Sequence, residues 1–195
     1  EKAGVRIMLN TEATPDMLSG YDAVNAAVGS SPIIPRIPGV EHAKAAIDIF
    51  GREDELADNV VIIGGGQVGI ETGLHLCKLG KKVTILEMQP ELAPDASKTH
   101  RDELLHEIER EPNMTVILGG RCTSIRPDSV AYEKDGRQET IPAGSIILSV
   151  GMRALTDLAD SFMGITEEYA EVGDCVKART VEWANKEAFY AAINL

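Results

Sequence analysis

A chain of 195 residues is long enough for one ordinary domain or two small ones, and its 44% apolar and 26% charged residues are normal globular usage that supports a packed core. Its net charge of −12 repels phosphate backbones, which excludes nucleic acid as an expected partner. No stretch approaches the ~18 consecutive apolar residues of a membrane helix, and no basic-then-apolar leader directs secretion, so no membrane partner is expected.

The chain starts at Glu1 and enters an apolar run over residues 5–9, which reads as a segment cut from a longer protein. That run predicts a strand. A polar link over 11–16 has turn chemistry, and a second short strand is expected over 21–27. Pro32, Pro35 and Pro38 then mark a stiff crossing, with a domain boundary expected near residue 50. Residues 41–50, between Gly39 and Gly51, predict a short helix.

Residues 59–63, Asn-Val-Val-Ile-Ile, fit a strand buried on both faces of a parallel sheet. Glycines follow, then a helix over 67–79 capped by Gly80, then a second strand over 82–87. A charged helix is predicted over 97–111. Its Leu104, Leu105 and Ile108 share one face, and Pro112 ends it. Another strand over 114–118 leads into an antiparallel meander (121–126, 129–134, 138–141), with Asp135-Gly136 as a hairpin signal. The apolar run 145–150 returns to the parallel sheet and ends at Gly151. This order gives an α/β, Rossmann-like dinucleotide fold over residues 51–150, with 1–50 and 151–195 as flanking segments. In the tail, 155–162 predicts a helix and 169–172 a strand closed by Gly173-Asp174. A last helix over 181–193 carries small residues, Ala184, Ala188 and Ala191, that need a covering surface. Left bare, that face is expected to promote self-association.

The chemistry sits in Gly64-Gly65-Gly66-Gln67-Val68-Gly69, a G-x-G-x-x-G run between a buried strand and a helix. Gly64 allows the turn out of the strand, Gly66 lets a pyrophosphate approach the backbone, and Gly69 lets the helix pack against the strand. The helix start offers free N–H groups and the positive end of its dipole to phosphate. Glu87 ends the second strand 18 residues beyond Gly69, near the usual offset of about 20. A carboxylate there accepts from ribose hydroxyls and repels a 2′-phosphate, so NAD(H) is favoured over NADP(H); Lys81 and Lys82 lie at the strand's far end. The alternative for Glu87 is a solvated strand-end acid. Cys77, Cys122 and Cys175 form no C-x-x-C pair, which excludes a redox dithiol and a zinc or iron–sulfur site within this chain and suits a reducing cytoplasm. The four histidines share no i, i+4 spacing, and no metal is expected.

Three further stretches carry a resemblance. Residues 21–29 (Tyr-Asp-Ala-Val-Asn-Ala-Ala-Val-Gly) resemble the D-x-V-x-x-A-T-G segment of two-dinucleotide flavoproteins. Residues 146–153 resemble its second copy, and residues 169–175, containing Gly173-Asp174, resemble the G-D motif. With the glycine loop, they cover nearly the whole chain, which is similar to the FAD/NAD(H) region of the 2,4-dienoyl-CoA reductase and 2-enoate reductase group. The resemblance implies a dinucleotide cofactor, with NADH delivering hydride to FAD and nicotinamide near the loop after Gly151. Asp174 would contact FAD, and Glu71 would line the nicotinamide-ribose side, unless it is simply a helix-N-terminal acid. It also implies an upstream barrel region of the same polypeptide holding FMN and an iron–sulfur cluster, which reduces an activated C=C bond. The pattern is incomplete: there is one G-x-G-x-x-G, Val28 stands where Thr is usual, and Asn25 interrupts an apolar strand. The isolated chain is therefore expected to bind NAD(H), to hold FAD weakly or not at all, and to complete no reaction alone. Other NADH oxidase or disulfide reductase-type flavoproteins, and a non-catalytic NAD-binding module, remain open at this point.

Overall fold

The computed structural model describes residues 3–194 and divides into two compact units, residues 32–151 and residues 3–31 together with 152–194. In chain order the first elements are a short helix α1 (Pro15–Leu18) and strands β1 (Ala23–Ala26) and β2 (Ser30–Pro32). Then come β3 (Lys44–Ala45), β4 (Asn59–Ile63), helix α2 (Gln67–Lys78), β5 (Lys82–Glu87), helix α3 (Lys98–Arg110) and β6 (Met114–Leu118). The meander is β7 (Arg121–Arg126), β8 (Ser129–Lys134) and β9 (Arg137–Pro142), followed by β10 (Ser145–Leu148). The chain closes with β11 (Met152–Ala154), α4 (Thr156–Asp160), β12 (Glu168–Glu171) and α5 (Val181–Ile193).

The larger unit is the Rossmann-like α/β fold that the apolar runs predict. Five parallel strands lie in the order β3-β10-β4-β5-β6, with Ile146 opposite Val61 and Ile62 opposite Ile85. The β4 run is apolar without alternation because both faces are covered. On one face Val60, Ile62, Val83, Ile85 and Ile147 pack with Ile70 and Leu74 of α2 and Leu104 of α3. On the other, Val61, Ile63, Leu86, Ile146 and Leu148 pack with Ile125, Val130 and Tyr132 of the meander. Each fully buried side chain of this size stabilises by roughly 1.5–3 kcal/mol, and these two layers hold the end of β4 still.

Two expectations change here. Residues 41–50 form 3-10 turns and the two-residue β3 instead of a helix, because β3 pairs with β10 through Lys44 and Ala45. They belong to the same compact unit as the Rossmann fold, so the change of unit falls at 31/32 and not near residue 50. Lys81 lies immediately before β5, at the strand end where the sequence places it. It is buried, and its ammonium donates to the Leu56 carbonyl at 2.6 Å and the Ala57 carbonyl at 3.4 Å.

The smaller unit has a parallel two-stranded pair, β1–β12, with Val24 opposite Tyr169, and a second pair, β2–β11. Residues 5–9 form no strand; Val5, Ile7 and Leu9 are exposed without a partner strand to pair with. Helix α5 buries none of its residues, and Trp183, Phe189, Tyr190 and Ile193 are exposed. No helix among the described residues is long and apolar enough to cross a membrane.

Candidate dinucleotide site

The glycine loop runs from the end of β4 into α2, and two of its glycines are fixed by backbone that cannot move away. Gly64 has φ +110°, and a Cβ there would lie 2.2 Å from the Ser149 carbonyl oxygen. A Cβ on Gly69 would lie 2.1 Å from the Gly64 carbonyl oxygen. Gly66 is different: it is extended, and a Cβ built on it meets nothing within 4 Å. The backbone at Gly66 is thus open to an approaching group, whereas Gly64 and Gly69 are closed by the fold itself.

Helix α2 begins at Gln67 with no side chain capping it. Its first intrahelical acceptance is Ile70 N–H to the Gly66 carbonyl at 3.1 Å. The N–H groups of Gln67, Val68 and Gly69 therefore have no acceptor within the helix, and the positive end of the helix dipole is concentrated there. The Val68 side chain is exposed, so only its main chain belongs to this cradle.

Glu87 closes the neighbouring strand and is buried. Its Oε2 accepts from Gly65 N–H at 2.6 Å and its Oε1 from Gln89 N–H at 2.6 Å. One carboxylate thus joins the glycine loop to the turn after β5, which strand-end spacing does not reveal. It is not the freely solvated acid that the alternative reading envisages. Each oxygen has a second lone pair able to accept a hydroxyl.

Glu71 lies in the second turn of α2. Its Oε1 is 2.8 Å from His100 Nε2 on α3 and accepts from Gln67 Nε2 at 3.0 Å. These partners lie on α2 and α3, and α3 follows β5, on the opposite side of β4 from β10. Gly151 lies beyond the end of β10; it has φ +106°, and its carbonyl accepts from Ile33 N–H at 3.0 Å. Between them Ser149 donates its N–H to Ile63 and packs its carbonyl against Gly64. Ser149 carries no sequence signal of its own, since its role comes from backbone packing.

Gly173 and Asp174 belong to the other unit. Asp174 accepts from Ser30 Oγ at 3.2 Å and from Arg179 N–H at 3.3 Å, and Gly173 donates its N–H to Glu187 at 2.8 Å. Arg179 also pairs with Glu187 and stacks 4.6 Å over the Trp183 ring. The turn that presents Asp174 is thereby tied to α5.

The thiols are unsuited to redox exchange. Burial pushes Cys77 and Cys122 up to about 11, so neither is a thiolate near neutral pH. Cys175 is fully buried, with its Sγ 3.3 Å from the Ala26 carbonyl oxygen and 3.2 Å from that of Val172.

Residues 2–177 match the pyridine nucleotide-disulphide oxidoreductase family. The chain belongs to that family. It is 30% identical to a metal reductase of Desulforamulus reducens over 97% of the chain and 34% of that protein. It is 28% identical to a cinnamate reductase of Clostridium sporogenes over 98% of the chain and 30% of that protein. A solved 2-naphthoyl-CoA reductase superposes over the whole chain with a TM-score of 0.91 at 28% identity, and the chain covers 30% of it. The chain thus spans about a third of the length of the curated relatives it matches.

Proposed function

We infer that the larger unit binds NAD(H), and that the chain is the pyridine-nucleotide module of a larger flavin-dependent oxidoreductase. The observation that carries this reading is the uncapped start of α2, open at Gly66 and flanked by the buried Glu87 carboxylate. The residues fit a dinucleotide: main-chain N–H groups of Gly66–Gly69 for the diphosphate, Glu87 for the adenosine ribose, and the loop around Gly151 toward the nicotinamide. Lys81 is committed to Leu56 and Ala57, which leaves it unable to neutralise a 2′-phosphate. When bound, the nicotinamide supplies a hydride and FAD receives it; the protein contributes binding and orientation.

In this reading Asp174 and Gly173 contribute to an FAD site completed by further polypeptide, with FMN and an iron–sulfur cluster farther along the electron path. The isolated chain holds FAD weakly or not at all. An enoate or enoyl-CoA C=C bond is the proposed final acceptor, a reading supported by the similarity to a cinnamate reductase and a 2-naphthoyl-CoA reductase. The raised thiols disfavour a disulfide reductase role for this part of the protein. Three cysteines far apart in the sequence suit a reducing, cytoplasmic compartment.

Fluorescence titration of the chain with NADH and NADPH tests the nucleotide reading. NADH is expected to bind tighter, and Glu87→Arg is expected to erode or reverse that preference. Equal affinities before and after the change would remove Glu87 from the site.

A further inference from the structure

The turn after β5 does more than lead into α3. Gly65, in the middle of the glycine loop, is held at both ends of its backbone. Its N–H donates to Glu87 at 2.6 Å, and its carbonyl accepts from Ala93 N–H at 2.9 Å. Leu92 fills the space beside it so closely that a Cβ on Gly65 would lie 2.6 Å from Leu92 Cδ2. Ala93 is fully buried and has φ +43°, a left-handed conformation that an L residue keeps only when its surroundings hold it. The Ala93 carbonyl also accepts from Ala96 N–H at 3.2 Å, and residues 91 and 92 are held in addition from outside the turn.

Arg101, in the first turns of α3, holds them. Its Nε donates to the Leu92 carbonyl at 2.8 Å and its Nη2 to Glu91 Oε2 at 2.8 Å. The guanidinium fork is rigid and fully charged, so two bonds from one side chain set both position and angle of the segment. We propose that Arg101 is a positioning residue for the dinucleotide site: through Leu92 and Ala93 it holds the Gly65 peptide where the loop can receive a diphosphate. The proposal rests on the NAD(H) reading of that loop. Arg101 itself touches no part of the ligand in this account. Two of its donors are committed to Glu91 and to the Leu92 carbonyl.

The test uses the chain with NADH and with ADP-ribose, which retains the diphosphate and lacks the nicotinamide. It also uses hydrogen exchange of the Ala93 amide without nucleotide. Losing a charge-assisted bond predicts that Arg101→Gln raises both dissociation constants about tenfold and speeds Ala93 exchange about as much. The amides of α2 beyond its first turn should exchange unchanged. Arg101→Lys keeps one donor for Leu92 and should recover part of the affinity, whereas Glu91→Gln, which spares the Leu92 bond, should change it about twofold or less. If the wild-type chain binds neither nucleotide, the NAD(H) reading fails while Ala93 exchange still reports on the brace. Wild-type affinity in Arg101→Gln, or exchange accelerated throughout α2, would overturn the proposal in favour of a role in stability alone.

Discussion

The two units of this chain use similar strand and helix material with opposite results. In the larger unit a five-stranded parallel sheet is covered on both faces, and Ile62, Ile85 and Ile147 are fully buried. In the smaller unit the β1–β12 pair is parallel but only two strands wide, and α5 has no fully buried residue. Parallel strands are stable where helices or a second layer cover both faces, and two such strands alone bury little. The difference teaches that a recognisable sequence segment does not make a self-sufficient site. The glycine loop sits on a finished scaffold, while Asp174 sits on a turn supported by Ser30, Arg179 and Glu187.

The largest expected effect sharpens that contrast. Ile85→Ala should cost about 3–4 kcal/mol, because the cavity forms between two covered layers. Val24→Ala in β1 should cost about 1–2 kcal/mol. Urea unfolding measures both, and equal losses would erase the distinction between the units. Gly64→Ala comes next, at on the order of 3 kcal/mol, since its Cβ meets the Ser149 carbonyl in a left-handed backbone. A mutant as stable as wild type would show that the loop can yield.

The smallest effect belongs to the meander. Tyr132 donates to Glu139 at 2.5 Å, and this bond, with burial, pushes the phenol up to about 12. Because that value lies above the ordinary 10, the bond's contribution is complete below pH 10 and fades as pH rises through 12. Burial and the Glu171 carboxylate also push Tyr169 up to about 12, so absorbance at 295 nm should show two tyrosines ionising late, and Tyr132→Phe should halve that late step. A full complement of tyrosines titrating near 10 would contradict the assignment.

Much of the larger unit was legible because its signals are local. The β4 run, the Asp135-Gly136 turn and the glycines each dictate backbone geometry without help from distant residues. Glu87 was legible as an acid at the right offset, but its hold on Gly65 and Gln89 was not, since those bonds depend on how the next turn folds back. Leu92, Ala93 and Ser149 were invisible for the same reason: they act through carbonyls, amides and contact distances that residue type does not encode. Residues 5–9 misled because an apolar run becomes a strand only beside a partner. Residues 41–50 misled because pairing with β10 overrode helical pattern.

The most direct measurement is calorimetric titration of NADH into the wild-type chain and Gly66→Ala, with thermal unfolding of both. The added methyl enters space that no protein atom occupies, so the melting temperature should stay within about 2 °C while NADH affinity falls at least about tenfold. Undiminished binding by Gly66→Ala would mean that the nucleotide does not lie against this loop.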